Sequence, residues 1–381
     1  MFGQRGAEYR PYLDGLRAIA VSGVIAYHLN STWLPGGYLG VDLFFVLSGY
    51  LITTILVTEH RRTGGIDLPA FWSRRVRRLL PALAVLLVVL SAEILLRGDE
   101  LAAASARGDL LATLFYFANW HFIWTDQSYF AQFVDASPVR HAWSLAIEEQ
   151  FYIAWPLLVG VVLARAGRRG LAVVAGILSL ASIAAMWLLF DVAADPSRAY
   201  YGTDARIYQI LVGALVALAL LSRWRAPILA AARRLAIPAL AVVLAMMVLL
   251  ADDAALYYHG AAVAFVIAGA VLIAGLEAGS RLGRLLSLRP MVAIGLVSYG
   301  LYLWHWPVTL FVQRQLGPTS ALPAAAVVVG ATALLAGLSY VLVEQPIRRS
   351  GRIGAFRLSP RRLLAVVPAT SLVVTIGILL A

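Results

Sequence analysis

The sequence predicts an all-α polytopic membrane protein, with about ten core transmembrane helices, an eleventh C-terminal span and a re-entrant or interfacial segment near residues 109–124. Of its 381 residues, 61% are apolar and only 13% are charged, whereas soluble domains carry about 25% charged residues. The apolar residues form separate blocks of about 17–25 residues, the length that crosses the hydrocarbon core of a bilayer. This composition excludes a soluble enzyme and a nucleic-acid-binding protein, and the alternating segments of an outer-membrane barrel are absent from the sequence.

The order of the apolar blocks gives the predicted spans. They are 12–30, 38–57, 79–96, 142–163, 171–190, 205–221, 235–250, 258–276, 291–312, 323–343 and 363–381. The block at 109–124 is also apolar, but a span there would invert every later loop. It is therefore predicted to lie on the outer side, where its tryptophan and tyrosine residues suit the headgroup region.

The basic residues, which give a net charge of +11, are all arginines and fall mainly between the spans. If the N-terminus is cytoplasmic, most of them lie on the inner side, as the positive-inside rule requires. These inner clusters are 61–78, 165–169, 223–234, 281–289 and 348–362. Orientation of the helices therefore explains the charge better than a polyanionic partner does, and we expect no nucleic-acid partner.

Two further features limit the chemistry. The sequence contains no cysteine, which excludes disulfides, thiolate nucleophiles and metal sites with cysteine ligands. We expect no cleavable signal peptide, because Asp14 and Arg17 interrupt the first apolar block and no small-residue cleavage site follows it.

The first span carries Asp14, Arg17 and His28, although ionisable groups are costly inside a bilayer. Arg17 and His28 are eleven residues apart, so they share one helical face and lie roughly 16 Å apart along the axis. That distance is comparable with the reach of an extended pantetheine arm. A cytoplasmic acyl-CoA could place its phosphates at the arginine and its thioester at the histidine. The alternative is that Arg17 extends to the interface and His28 bonds between helices.

The second span opens with the sequence GGYLGVDLFF, in which Asp42 lies at a depth similar to that of His28. Asp42 is a candidate catalytic carboxylate, or else a polar residue that joins two helices. The glycines of this span, at positions 36, 37, 40 and 49, predict close helix approach or an irregular backbone.

The inner loop after the second span contains a dense cluster of arginines. Its members are Arg74, Arg75, Arg77 and Arg78. Guanidinium groups bind phosphate in a bidentate manner, so the cluster is a candidate phosphate site. It also serves as a positive-inside anchor.

The fourth span begins RHAWSLAIEEQFY and places two carboxylates at its outer end, at Glu148 and Glu149. Adjacent helical positions point about 100° apart, so only one of them is expected to share a cavity with His28, and we favour Glu148. His141 and Trp143 lie at the same outer rim and are either interfacial residues or contacts for a substrate.

The predicted span 291–312 contains SYGLYLWHWPV and adds Tyr299 and His305 as candidate substrate contacts, although packing or a structural hydrogen bond also explains them. We predict no metal site, because the histidines lie on different spans and no HExxH spacing occurs.

Together these segments resemble the bacterial acyltransferase family 3 membrane proteins, which are O-acyltransferases of surface glycans and lipids. The resemblance covers nearly the whole chain to about residue 350, in family order. The matching blocks are 12–28, 36–52, 71–83, 143–157, 298–308 and 343–349.

The resemblance implies that Arg17 and His28 are the family's paired basic residue and histidine. It also implies that the four loop arginines hold the donor, with either overlapping pair as its binding site. It places Glu148 in the family's WSL…EEQFY segment. Residues 1–350 are then a membrane acyltransferase domain, and 351–381 a cytoplasmic connector with a final span. Family members often continue into an extracytoplasmic esterase-like domain, whereas this sequence ends within that predicted span.

The resulting hypothesis is a multi-pass enzyme of the bacterial plasma membrane with a cytoplasmic N-terminus. It transfers an acetyl or succinyl group from acetyl-CoA or succinyl-CoA to a hydroxyl of an extracytoplasmic carbohydrate or glycolipid. Membrane lipid is a further expected partner, and the enzyme is expected to need no metal. His28 acts as general base or as a transient acyl carrier, oriented by Glu148 or Asp42. A transporter of a small anion or glycan precursor is the alternative, since charged spans and glycine-broken helices suit transport too. A non-catalytic assembly protein is the third possibility.

Overall fold

The computed structural model describes residues 9–97, 100–130, 136–252, 254–350, 352–353, 356–357 and 375–379. This part of the chain is almost entirely helical, which confirms the all-α prediction. Two short strands, β1 (Arg352–Ile353) and β2 (Phe356–Arg357), pair antiparallel, with Arg352 opposite Arg357 and Ile353 opposite Phe356.

The helices follow the apolar blocks of the sequence, and proline stands in the first turn of several, where no backbone N–H is needed. They are α1 (Pro11–Leu29), α2 (Gly40–Thr63), α3 (Leu68–Arg97), α4 (Glu100–Leu114), α5 (Ala118–Trp124), α6 (Ala142–Leu189), α7 (Ser197–Tyr201), α8 (Thr203–Leu220), α9 (Arg225–Leu249), α10 (Ala262–Glu277), α11 (Arg281–Leu286), α12 (Arg289–Leu296), α13 (Ser298–Leu316), α14 (Leu322–Ser339) and α15 (Gln345–Ser350). A 3-10 turn (Gly37–Leu39) precedes α2, and π-helical turns (Tyr257–Ala261 and Tyr340–Glu344) precede α10 and α15.

The chain divides into two compact units. The first consists of Met1–Gly65 and Trp155–Ser298, and the second of Ile66–Ala154 and Tyr299–Ala381. In the first unit α2 packs against α8, α9 against α10 and α1 against α12. The core of the second unit is built from the buried apolar faces of α3, α4, α13 and α14. The predicted boundary at residue 350 stays a prediction, because most of the sequence beyond it lies outside the described residues.

Seven of the described helical segments are long and apolar enough to cross a membrane, against eleven predicted spans. They are Gly37–Thr63, Leu68–Arg97, Ala142–Leu189, Thr203–Leu220, Arg225–Leu249, Tyr257–Glu277 and Leu322–Arg348. The predicted count of about eleven is therefore not confirmed.

The difference in count has local causes. The predicted spans 142–163 and 171–190 correspond to the two helical parts of α6, which meet at a kink where Gly167 leaves the helical conformation. The predicted span 12–30 is helical as α1 but is rich in polar groups, and the predicted span 291–312 is divided between α12 and α13. None of these three helices is among the seven segments. The predicted final span lies outside the described residues except for 375–379, which are helical.

The block at 109–124 folds as the end of α4, a break at Tyr116, and the seven-residue α5. Neither helix is among the seven segments that could cross a membrane. This agrees with the expectation that the block does not span, and its placement on the outer side stays a prediction.

Close helix approach at glycines holds the first unit together, as the glycines of the second span predict. A Cβ atom added at Gly49 of α2 would lie 1.7 Å from the carbonyl oxygen of Ile210, and one at Gly213 of α8 would lie 2.0 Å from that of Val46. A Cβ at Gly40 would lie 2.2 Å from the carbonyl oxygen of Ala20 in α1. Because these neighbours are backbone atoms, they cannot move aside as a side chain can.

Replacing Gly49 by alanine is therefore expected to destabilise the protein by about 1–3 kcal/mol, the usual effect of overpacking. The matched control is Gly176→Ala in α6, where an added Cβ meets nothing within 4 Å and alanine favours the helix by about 1 kcal/mol. Thermal unfolding in detergent measures both variants. Equal melting temperatures for Gly49→Ala and the unchanged protein would contradict the packing described for α2 and α8.

Candidate functional site

Arg17 lies near the start of α1 in the first unit, and it is paired. Its guanidinium bonds to Asp14 Oδ1 at 2.7 Å, and Asp14 Oδ2 accepts a hydrogen bond of 2.8 Å from the hydroxyl of Tyr9. Asp14 is buried in the first turn of α1, where the helix dipole favours a negative charge. Arg17 therefore occupies a fixed position on the predicted cytoplasmic end of the helix.

The backbone around this ion pair is closely packed in the same unit. A Cβ at Gly15 would lie 2.0 Å from the carbonyl oxygen of Leu286, and one at Gly295 of α12 would lie 1.9 Å from the carbonyl oxygen of Asp14. The start of α1 is thus held against the end of α11 and against α12. The Asp14–Arg17 pair has little freedom to shift along them.

His28 lies in the last turn of α1 and is buried. The neighbouring Tyr27 fixes this end of the helix, because its hydroxyl bonds to Asp252 and its ring packs edge-on against Tyr38 at 5.6 Å. The imidazole of His28 itself lies 5.2 Å from the Tyr27 ring. As the spacing predicts, one rigid helix carries both Arg17 and His28.

Asp42 is completely buried in an ion pair with Arg206 of α8, with 2.5 Å between Asp42 Oδ1 and the guanidinium. The hydroxyl of Tyr257 donates to the other carboxylate oxygen at 3.0 Å and also bonds to Arg206. The guanidinium lies 4.6 Å from the ring centroid of Tyr200. Asp42 is thus paired with Arg206 and hydrogen-bonded to Tyr257, both in its own unit. Its catalytic role stays a prediction.

The ion pair of Arg206 with Asp42 is not among the sequence-based predictions. The available signal is an arginine just inside an apolar block, because a buried cation needs an acidic partner. Asp42 is 164 residues away along the chain, so the sequence could indicate the need for a partner but not its identity.

The arginine cluster lies at the start of α3 in the second unit. Arg74 is exposed, while Arg75, Arg77 and Arg78 are half-buried. The guanidinium of Arg75 lies 5.8 Å from the Phe71 ring centroid and 5.9 Å from that of Tyr152. Arginines held against aromatic rings lose little conformational freedom on binding an anion, which suits a phosphate site.

The two adjacent glutamates of α6 have different surroundings, as their helical spacing requires. Glu148 is half-buried and accepts a hydrogen bond from the hydroxyl of Tyr152. Glu149 is buried, interacts electrostatically with Arg75 and Arg78, and has one carboxylate oxygen without a hydrogen-bond partner among the described residues. The sequence-based preference for Glu148 therefore falls on the more accessible carboxylate, and the choice between the two stays a prediction.

The candidate substrate contacts His141 and His305 lie together, with ring centroids 5.5 Å apart. Tyr302 joins them, because its hydroxyl bonds to the His141 carbonyl at 2.8 Å and to Ser144 at 2.6 Å, and its carbonyl bonds to His305 Nδ1 at 2.6 Å. Burial, with a smaller effect of His305, holds the pKa of His141 well below its usual range. Both ring nitrogens of His141 lack a hydrogen bond of normal geometry to a described residue, although the Leu303 backbone is near.

The other two candidate contacts, Trp143 and Tyr299, interact with residues other than His141 and His305. Trp143 is buried edge-on against Tyr129 at 6.1 Å. The hydroxyl of Tyr299 donates to the carbonyl of Leu79 at 2.9 Å. Both side chains are used for packing within the second unit. In the described part of the chain, no group of three or more histidine, aspartate or glutamate residues is arranged to hold a metal ion.

Apolar helices of membrane-spanning length that carry buried ion pairs and imidazoles define a multi-pass membrane protein. The chain belongs to the acyltransferase family whose profile, described as an acyltransferase domain, matches residues 10–344. The resemblance of the motifs to acyltransferase family 3 is therefore confirmed.

Relatives that are named as O-acetyltransferases match most of the chain. It is 39% identical over 367 residues to the O-acetyltransferase OatA of Staphylococcus aureus, covering 93% of this chain and 59% of that protein. It is 43% identical over 355 residues to the putative peptidoglycan O-acetyltransferase YrhL of Bacillus subtilis, covering 90% of this chain and 55% of that protein. The peptidoglycan O-acetyltransferase OatA of Listeria monocytogenes is 39% identical over 359 residues, with 92% and 57% covered. The chain thus spans less than two thirds of these relatives, and no solved structure matches it.

Proposed function

We propose that the protein is an integral-membrane O-acyltransferase that moves an acyl group from acyl-CoA to a hydroxyl of a cell-envelope glycan. The observation that carries the proposal is family membership over residues 10–344. Three relatives that match 90–93% of the chain are named as O-acetyltransferases, two of them as acting on peptidoglycan. These names favour acetyl as the acyl group and peptidoglycan as the acceptor.

The proposed donor is acyl-CoA, with acetyl-CoA as the first candidate and succinyl-CoA as the second. Arg17 and the α3 arginines are assigned to its phosphates, since guanidinium groups bind phosphate with two parallel hydrogen bonds. The half-buried Arg75 and Arg78 are better placed for this than the exposed Arg74.

His28 is assigned the chemical step, in one of two ways. As a general base, it takes the proton of the acceptor hydroxyl while that oxygen attacks the thioester carbonyl and CoA leaves as the thiol. As a nucleophile, it first accepts the acyl group from CoA and then passes it to the acceptor oxygen. Asp42 or Glu148 is proposed to orient the imidazole, and His141, Trp143, Tyr299 and His305 to contact the acceptor.

The proposed location is the bacterial plasma membrane, with the N-terminus in the cytoplasm. Seven helices of spanning length and the arginine-rich inner connections support this arrangement. Acyl-CoA then approaches from the cytoplasm and the glycan from the outer side. The carboxy-terminal end of α3 and the segment 100–141 are assigned to the outer side.

The proposal is tested by adding acetyl-CoA and soluble peptidoglycan strands to the purified protein in nanodiscs and following thiol release. Arg75→Ala/Arg78→Ala is expected to weaken acetyl-CoA binding at least about tenfold, because charge-assisted hydrogen bonds contribute about 1.5–3 kcal/mol each. The matched control, Arg233→Ala/Arg234→Ala, removes the same charge from exposed positions of α9 and should leave binding unchanged.

Two results would contradict the donor assignment. If both double variants weaken binding equally, the effect is one of net charge and the α3 cluster is only an anchor. If the unchanged protein does not bind acetyl-CoA, the donor proposal fails, and flux of glycan precursor without CoA would then identify a transporter.

A further inference from the structure

The short helix α5 is held at both ends by an unfavourable backbone conformation. Tyr116 before it has φ 59° and Asp126 after it has φ 54°. In the described part of the chain these are the only non-glycine residues with positive φ. Left-handed backbone is costly for residues with a Cβ, and such residues concentrate at functional sites. The carboxamide of Gln150 bonds to the carbonyl of Tyr116 at 2.9 Å and helps to hold this conformation.

A buried carboxylate orients a histidine of this helix. His121 Nε2 lies 3.0 Å from Asp109 Oδ1 in α4, and the carboxamide of Gln127 donates to the same oxygen at 2.9 Å. The Asp109 side chain is 3% exposed and that of His121 is 20% exposed. Gly108 permits the approach, because a Cβ there would lie 3.1 Å from His121 Cε1. The bond through Nε2 fixes the orientation of the ring and leaves Nδ1 at its other edge for a ligand.

Aromatic rings flank this polar group along α5. The Trp120 and Trp124 indoles have centroids 6.5 Å apart and planes 31° from parallel, and Trp124 is 71% exposed. Phe117 lies 6.4 Å from the His121 ring, nearly perpendicular to it. The helix therefore presents exposed aromatic surface beside an oriented imidazole and a carboxamide.

We propose that α5 with the Asp109–His121–Gln127 group is a binding site for the carbohydrate acceptor. Sugar rings have apolar C–H faces that pack on indoles and hydroxyls that bond to imidazole and carboxamide, so this mixture of aromatic and fixed polar groups matches them. An interfacial belt in the headgroup region explains the exposed tryptophans. It does not explain the buried carboxylate, the oriented imidazole or the left-handed backbone of Tyr116. The inference rests on the proposed function, which puts a glycan on the outer side where 109–124 is predicted to lie.

The test measures binding of soluble, un-crosslinked peptidoglycan strands to the protein in nanodiscs, without acyl-CoA, so that no turnover occurs. Trp124→Ala and His121→Gln are each expected to weaken strand binding about 2- to 10-fold, the range for one aromatic or hydrogen-bonding contact. Trp124→Phe keeps an aromatic face and should retain most of the affinity. Acetyl-CoA binding reports whether each variant is folded.

The matched control is Trp187→Ala in α6, which removes an indole that is 51% exposed and belongs to a different segment. It should bind the strands as the unchanged protein does. If Trp124→Ala and His121→Gln also bind them unchanged, the site is overturned and the tryptophans of α5 are headgroup contacts, while the acyltransferase proposal stands. If the unchanged protein binds no strands but still consumes acetyl-CoA with another acceptor, both the site and the peptidoglycan assignment are wrong.

Discussion

His28→Ala is expected to lower acyl transfer to the glycan at least about a hundredfold, since general base catalysis contributes about 10²–10⁴ to a rate. His28 is the buried imidazole at the end of α1, opposite the Asp14–Arg17 pair at its start. Binding of acetyl-CoA should remain, because its phosphates are assigned to arginines. Acetylated glycan is quantified by mass spectrometry after incubation with acetyl-CoA, and donor binding is measured separately on the same preparation.

The matched control is His259→Ala, which removes an exposed imidazole of the first unit that hydrogen-bonds to the backbone carbonyl of Ala255 and packs edge-on against Phe190. Its transfer rate should equal that of the unchanged protein. Full activity in His28→Ala would refute the assignment of the chemical step. Loss of both transfer and donor binding would instead indicate that the end of α1 is needed for folding, which thermal unfolding of the same variant checks.

Breaking the Asp42–Arg206 pair is expected to destabilise the protein by about 3–5 kcal/mol in either single variant, because each leaves an uncompensated buried charge. Both side chains are completely buried, and Tyr257 bonds to both of them. The double variant Asp42→Ala/Arg206→Ala should lose less unfolding free energy than the two single variants lose together, since it leaves no unpaired buried charge. Thermal unfolding in detergent gives all three values.

The exposed Arg198–Asp204 pair, which lies 2.7 Å apart at the start of α8, supplies the matched control. Asp204→Ala is expected to cost no more than about 1 kcal/mol, as usual for solvent-screened pairs. A variant Asp42→Ala that keeps its melting temperature but loses acyl transfer would contradict the structural role and favour Asp42 over Glu148 as the residue that orients His28. Equal loss of stability in Asp42→Ala and Asp204→Ala would show that burial does not determine how much an ion pair contributes to the stability of this protein.

The fold class can be predicted from the sequence because the hydropathy of each segment determines, within that segment, whether it forms a membrane helix. A run of apolar residues long enough to cross a bilayer must satisfy its own backbone, and a helix does this within one segment. The predicted blocks at 38–57, 205–221 and 235–250 accordingly lie in α2, α8 and α9. The count of spans is not confirmed, and in α6 two predicted blocks lie on either side of Gly167, where the backbone leaves the helical conformation.

Parts of the site were also predictable. The positions of charged and imidazole groups in apolar blocks make Arg17, His28 and Asp42 candidates, since ionisable groups inside a membrane are costly. Sequence could not show that Asp42 is held by Arg206, or that Glu149 is more deeply buried than Glu148. It also missed the Asp109–His121 contact, because a block interpreted as interfacial gave no reason to look for a partner of Asp109.

The sequence by itself determined the helical membrane class, the family, and the residues that carry candidate chemistry. These depend on composition and on spacing within one segment, where about 3.6 residues per turn fixes which side chains share a face. Only the tertiary structure decided which polar side chains meet, as in Asp42 with Arg206 and His141 beside His305. Those pairings depend on the order and rotation of packed helices. Contacts between distant segments, such as Gly49 on the backbone of Ile210, fix that order and rotation.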